Sequence, residues 1–376
     1  MNKILLMSFA FLIIANCGGG SGGDSNDDST CTTLDCMTSK YNLLLADVDF
    51  SLASPVASNI QVIEKSSFQD MTHPRVSPDK QWVAYTRYNM TNTEGCATIE
   101  PDPAIAYVNT EIRATRIDDG QSKIIIPVTS GELTSNNYWY DSNFEFTFLS
   151  GAPDGGVKIY RAQTDSSMNL VIEPTEVVIP DTITAYDPQA LSSNQLVYGG
   201  VYDNNGVLVK SIFLQSLNPP GLPVGLSLGR DSTGNVLIAT DVLENDPKIS
   251  PDGNNVAFMR QTPNAGINGF GFRIFVVSLA APLSEVNISS SLGISQFNND
   301  ALPEWVDNTT LVFANIDSTV TFNTRTIWTM KRDGSERKQI VLPGGYRYSD
   351  VYPYQDSNGN QKIIISAEKI DAVCTP

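Results

Sequence analysis

Three side chains able to hold a cation or move a proton recur at one position of the sequence, each just before a proline. They are His73 in "HPRVSPDKQWVAYTR", Asp187 in "DPQALSSNQLVYGG" and Asp246 in "DPKISPDGNNVAFMR". Asp300 and Asp350 stand shortly before two further prolines, Pro303 and Pro353. Carboxylates at one position of a repeated unit converge when the units are set around an axis. Such a ring would capture Ca2+, which takes six to eight oxygen ligands. An Asp-Pro pair also opens a turn before a strand without any ligand, and that simpler role is the favoured one. His73 is the only histidine, so a Ser-His-Asp triad would have to use it, and no neighbouring serine looks activated. Acidic turns near Asp203 and Asp356 lack the Gly and Glu positions of a calcium loop and read as loop tips.

The elements that carry these residues are repeats. Residues 73 to 87 and 246 to 260 match closely, and weaker copies start at Asn137, Asp187, Leu302 and Tyr352. Aligned on Pro74, Tyr138, Pro188, Pro247, Pro303 and Pro353, the six units recur at intervals on the order of 55 residues, the mark of a stacked supersecondary unit. Each reads as a short strand, a Ser-Pro-Asp-Gly-like turn and a second, apolar strand. Pro78 and Pro251 preset φ for the turn, Asp79 and Asp252 can bond their own backbone, and Gly253 can take a positive φ. Third strands follow in "VKIYRAQTD" from Val157, "VKSIFLQSL" from Val209, "FRIFVVSLA" from Phe272 and "TIWTMKRDG" from Thr326. Fourth strands are fainter, with "SERKQIVLP" after Gly334 and "TEVVIP" after Pro174 the clearest. The expected fold is all-β, a six-bladed β-propeller of four-stranded blades.

The segments "RVSPDKQWVAYTR", "KISPDGNNVAFMR" and "IWTMKRDGSERKQI" resemble the TolB-type propeller repeat over about residues 41 to 370. No segment before residue 41 has the length or pattern of the α/β domain that accompanies the propeller in TolB, so its partner and role do not carry over. The sixth unit runs out of chain after "KIIISAEK", while "NLLLADVDF" and "NIQVIEK" precede the first unit. These N-terminal strands are expected to complete the last blade and leave only short edges.

Ahead of the repeats, the apolar run of residues 4 to 15 follows Lys3. It is shorter than the ~20 residues of a membrane span and suits a signal peptide. Ile14, Ala15, Asn16 and Cys17 resemble a bacterial lipobox, with Asn16 departing from the usual small residue. The resemblance implies a signal peptide over residues 1–16, acylation at Cys17 as palmitate-type anchoring, and, from Gly18, an outer-membrane address. Residues 17–38 are rich in Gly, Ser and Asp and read as a flexible tether before the propeller of residues 39–376. Gly19 to Gly23 match a nucleophile elbow in letters only, since neither the strand nor the helix that motif needs flanks them. The remaining cysteines, Cys31, Cys36, Cys96 and Cys374, allow three disulfide pairings. Ring closure would bring Cys374 near Cys31 or Cys36, whereas free thiols or a local 31–36 loop remain open.

A formal charge of −17 disfavours a grip on nucleic acid or anionic lipid headgroups. The insert from Asn89 to Pro103 is the largest departure from the repeat and the first candidate recognition loop. The function expected from these features is a lipid-anchored, non-catalytic module of the bacterial envelope that binds or scaffolds another envelope protein. No cofactor is required for it. The competing reading is a calcium-dependent hydrolase or lyase with its acidic site, His73 included, at the channel mouth.

Overall fold

The computed structural model describes residues 41–66, 69–89, 110–129, 133–139, 142–151, 157–179, 182–204, 207–227, 244–263, 270–289, 298–317 and 325–369. The first two strands, β1 (Tyr41–Asp47) and β2 (Ser58–Ser66), belong to the last blade. Blade 1 is then formed by β3 (Gln69–Val76), β4 (Trp82–Asn89), β5 (Glu111–Arg116) and β6 (Ser122–Ile126). Blade 2 comprises β7 (Leu133–Trp139), β8 (Glu145–Gly151), β9 (Lys158–Thr164) and β10 (Leu170–Glu176). Blade 3 contains β11 (Thr182–Ser192), β12 (Gln195–Asn204), β13 (Val207–Ser216) and β14 (Val224–Gly225). Blade 4 contains β15 (Glu244–Ile249), β16 (Asn255–Pro263), β17 (Phe270–Ser278) and β18 (Ala281–Asn287). Blade 5 contains β19 (Asn298–Trp305), β20 (Thr310–Asp317), β21 (Arg325–Lys331) and β22 (Lys338–Gln339). Blade 6 is the sheet β23 (Tyr346–Gln355), β24 (Gln361–Lys369), β1, β2, so both ends of the described chain meet in one sheet.

That closure explains why "YNLLLAD" is an almost unbroken apolar run. β1 lies inside blade 6, hydrogen-bonded to β24 on one side and β2 on the other, and both its faces are covered. Leu43 and Leu45 pack with Ile364, Val83 and Tyr85 toward blade 1. Leu44 and Ala46 pack with Ile363, Val312 and Ile327 toward blade 5. A strand buried on both faces loses the apolar-polar alternation of a surface strand.

The turns are built as their sequence demands. In "SPDK", Ser77 Oγ donates to Asp79 Oδ1 at 2.6 Å and accepts the Trp82 N–H at 3.0 Å. In "SPDG", Ser250 and Asp252 do the same, and Asn255 N–H closes on Ser250 Oγ at 2.9 Å. Gly253 takes φ 70°, as expected, and Lys80 holds the equivalent left-handed position at φ 64°. Because neighbouring strands of each blade are antiparallel, the turn after the first strand and the turn after the third lie on one face of the ring. Connections between second and third strands, and between blades, lie on the other. Residue Tyr41 pairs with Glu368, so the chain also enters and leaves the ring on that second face.

Two details of the repeat are corrected. The inner strands carry a register break at Thr72/Arg75, Ser135/Tyr138, Tyr186/Gln189, Asn245/Lys248, Ala301/Glu304 and Tyr348/Val351. Each is a bulge of two residues, and in four blades the second of them is the anchoring proline. In blades 2 and 6 the equivalent residues are Asn137 and Asp350, so Tyr138 and Pro353 were anchors out of phase. The fourth strand of blade 2 is β10, which overlaps "TEVVIP" only at Thr175 and Glu176. Cys17, Cys31, Cys36, Cys96, Cys374 and most of the Asn89–Pro103 insert lie outside the described residues.

Closure by β1 makes a direct prediction. Leu43→Ala and Ile364→Ala each lower the unfolding free energy by about 2–5 kcal/mol in urea. In the double variant the two losses depart from additivity by about 0.5 kcal/mol or more, because the side chains share one cluster. Strict additivity would mean that the N-terminal strand does not pack with the C-terminal one.

Candidate functional site

The six inner strands surround the channel, and the bulges decide what reaches it. A bulge turns backbone groups out of the ladder, and these must find other partners. Neighbouring blades supply them: Asp187 Oδ2 accepts the Asp246 N–H at 3.0 Å, Gln189 Oε1 accepts the Ile249 N–H, and the Met259 sulfur accepts the Leu302 N–H at 3.0 Å. At the bulge His73, Asp187, Asp246 and Leu302 all take φ between 48° and 54°. A left-handed residue before proline is a strained geometry, and here the neighbouring blade braces it.

Just beyond the bulge the channel is crossed by charge. Arg75 of blade 1 reaches Glu304 of blade 5, with NH2 2.5 Å from Oε1, and blade 6 lies between them in sequence around the ring. Lys248 of blade 4 donates to the Tyr138 hydroxyl of blade 2 at 2.6 Å, across blade 3. Lys248 also pairs with Asp246 and lies 3.4 Å from Glu304. The Arg75 guanidinium sits over the rings of Tyr138 and Tyr352, 4.5 and 4.9 Å from their centroids. The Lys248 ammonium sits 4.7 Å from the Tyr138 centroid. Two chords drawn across the ring axis, with all four charged side chains buried, make a floor. Burial by itself disfavours the Lys248 ammonium, but Asp246, Tyr138 and Glu304 outweigh it and hold its pKa above the ordinary value.

Above this floor, toward the face where strands enter the ring, is an acidic mouth. Asp187 is half-buried, and burial with the Asp246 carboxylate beside it pushes its pKa up to about 6. Asp70, also half-buried, is pushed up to about 7 by burial and by the Asp350 and Glu368 carboxylates, with Arg325 and the Met71 N–H opposing. His73 accepts or donates a 3.0 Å hydrogen bond with Thr72 Oγ1, and burial keeps its pKa below the ordinary value despite Asp350 and Asp246.

Of the four aspartates singled out in the sequence, Asp187 and Asp246 adjoin, and Asp350 acts on His73 and Asp70 from blade 6. Asp300 is committed elsewhere. It is fully buried, bound by both terminal nitrogens of Arg337 at 2.6 and 2.7 Å and by Asn315 at 2.7 Å, with Arg337 stacked over Phe313 and Trp328. Among the described residues no group of three or more His, Cys, Asp and Glu side chains gathers as a metal site. Asp356 caps its own turn, accepting from the Asn358 and Asn360 backbone. Arg75, Lys248, Glu304, Tyr352 and Asp70 escaped the sequence reading. A signal existed in "HPR", "DPK" and "LPE": a charged residue follows the proline at an inner-strand position where an apolar one would suffice.

No protein-family model matches the chain, and no curated protein sequence matches it. Among solved structures it is similar to TolB from Acinetobacter baumannii, with a TM-score of 0.50 and 10% identity over 87% of this chain. The match spans 64% of that TolB chain, just under two thirds of its length. Acylaminoacyl peptidase from Pyrococcus horikoshii (TM-score 0.45, 10% identity, 84% of this chain and 47% of that one) also resembles it. So does oligogalacturonate lyase from Vibrio parahaemolyticus (TM-score 0.43, 10% identity, 86% and 76%). Likeness at this level of identity establishes a TolB-like six-bladed propeller fold and nothing about activity.

Two measurements check the site. Glu304→Gln leaves Arg75 and Lys248 short of a carboxylate in a buried position and costs about 3–5 kcal/mol of stability in urea unfolding. The folded pKa of Asp70, about 7, lies above its unfolded value, so the folded state binds the proton more tightly. Its contribution to stability is complete below about pH 4 and is lost as pH rises toward 7. Asp187 acts alike over a window ending at about 6. Unfolding free energy therefore declines from pH 5 to pH 8 through these groups, and Asp70→Asn flattens that decline.

Proposed function

We propose that this chain is an envelope protein, held to a membrane by acyl groups on Cys17, whose propeller binds another protein and performs no catalysis. The observation that carries the reading is the floor of the channel. The side chains best suited to chemistry inside the ring, Arg75, Lys248, Glu304 and Asp246, neutralise one another in a buried cluster. What such a ring offers to the outside is a broad, rigid surface with loops on one face, a usual platform for recognition. The lipobox resemblance and the Gly- and Asp-rich stretch after it support tethering near a membrane, and the acidic charge argues against nucleic acid as partner. A TolB-like fold is compatible with an envelope location, though fold alone does not assign function.

A calcium-dependent hydrolase or lyase is the second reading, and the Asp187–Asp246 pair at the mouth is what favours it. Calorimetric titration with Ca2+ separates the two: the binding-module reading expects neither heat nor a thermal shift.

The proposal is tested by in-cell cross-linking of the full chain beside a Cys17→Ala control, together with labelling by an alkynyl fatty acid. It expects label on the wild type and none on the variant, and at least one envelope protein cross-linked in preference to unrelated lipoproteins. Label that persists in Cys17→Ala, or cross-links no different from those of unrelated lipoproteins, would contradict it.

A further inference from the structure

The closing blade holds the two ends of the described chain side by side. β1 and β24 pair residue for residue, from Tyr41 with Glu368 to Asp47 with Lys362, without a register break. The last rung of this ladder is firm: Tyr41 and Ala367 are buried, Ser366 fully so, and Arg347 lies 3.8 Å from Glu368. Across an antiparallel pair the Cα atoms are about 4.5–5.5 Å apart. From this rung the chain leads on the one side to Cys36, five residues before Tyr41, and on the other to Cys374, six residues after Glu368. Both cysteines lie outside the described residues; what the ladder fixes is where the segments leading to them begin.

The register selects between the two cysteines upstream. Carried on unbroken, it sets Asp35 opposite Cys374, so Cys36 stands one residue from the partner position and Cys31 four. Four residues of extended strand span about 13 Å, whereas a disulfide tolerates a Cα separation of only about 4.4–6.8 Å. The one-residue offset that remains is the size of a single bulge, and β2 makes two of these against β1 in the same sheet. Folding also favours this pair in particular. In the unfolded chain about 340 residues separate Cys36 from Cys374, but in the closed ring about 11 residues and one rung join them, which raises their effective concentration about a hundredfold. A bond between Cys31 and Cys36 gains nothing from the ring, because its loop is equally short in both states.

We propose that Cys36 and Cys374 form a disulfide that staples the closing blade, joining the strand that starts the ring to the strand that ends it. In the step that makes the bond the two thiols give up two protons and two electrons, and a disulfide of the surrounding compartment accepts them and becomes two thiols. The oxidising compartment rests on the envelope reading above; the pairing rests on the ring alone. The staple has a mechanical consequence. Cys36 lies between Cys17 and Tyr41 in the sequence, so a pull arriving from the anchor divides between β1 and β24 instead of loading β1 by itself.

The test is disulfide mapping of the folded full chain, equilibrated with oxidised and reduced glutathione, alkylated, and digested unreduced with trypsin and a protease that cuts before aspartate. Cuts at Asp35 and Asp371 separate Cys31 from Cys36, and the expected product is residues 35–40 joined to residues 371–376. In concentrated urea the same product forms about a hundredfold less readily. Cys36→Ser and Cys374→Ser each lower the urea midpoint by about 1 M, and the double variant lowers it no further, since both remove one bond. Cys31→Ser changes neither the midpoint nor the product. Recovery of Cys374 as a free thiol or joined to Cys31 or Cys96, a bond between Cys36 and Cys31, or a yield indifferent to urea would overturn the proposal. Alkylation in intact cells separates it from the envelope reading. The bond in buffer with free thiols in cells leaves the pairing standing and removes export to an oxidising compartment. Acyl label on Cys17 with no bond between Cys36 and Cys374 in either setting does the reverse.

Discussion

Two cations and two carboxylates, contributed by three blades, meet in the middle of the ring. Arg75 of blade 1, Lys248 and Asp246 of blade 4, and Glu304 of blade 5 cancel one another's charge in a place that water hardly reaches. Buried charges are tolerable only when every member is paired, since removal of one strands the rest. The cluster therefore requires the ring to be complete. Blades 1 and 5 are brought within reach of each other through blade 6, and blade 6 is whole only because β1 and β2 cross from the start of the chain to join β23 and β24. Ring closure and channel floor are thus one problem solved together, the first by apolar packing on both faces of β1 and the second by ion pairing.

The bulges link the two. Each inner strand breaks register at this point, β11 twice more besides, and the break bends the strand, turns a backbone N–H outward and swings the next side chain into the channel. Arg75, Tyr138, Gln189, Lys248 and Glu304 all stand just after a bulge. The same bulges set His73, Asp187 and Asp246 one step nearer the face where the chain enters. The result is a layered axis with a neutralised floor and an acidic layer beside it, on the side of the face that carries the interblade connections.

Much of the architecture was legible because it is local. The Ser-Pro-Asp-Gly chemistry of a turn is written in consecutive letters, and a last blade short of chain, beside two unassigned apolar segments, implies closure. The anchors at Tyr138 and Pro353 went astray because a bulge belongs to two paired strands, and blades 2 and 6 make theirs without proline, from Asn136–Asn137 and Ser349–Asp350. The floor was illegible for a different reason: Arg75 and Glu304 are 229 residues apart, and nothing in either neighbourhood names the other. Equivalent positions in a repeat also do not guarantee equivalent roles. Asp300 precedes its bulge and is captured by Arg337, whereas Asp246 lies in its bulge and faces Lys248.

The claim on which the rest depends is that the channel is closed by buried charge. Amine-directed covalent footprinting of the native chain, read by mass spectrometry, addresses it most directly. Lys248 should stay unmodified under conditions that label the exposed ammonium of Lys158, whose side chain is 53% accessible against 2% for Lys248, and should become reactive only on unfolding. Labelling of Lys248 in the folded protein at a rate like that of Lys158 would mean that the axis is open and the account is wrong.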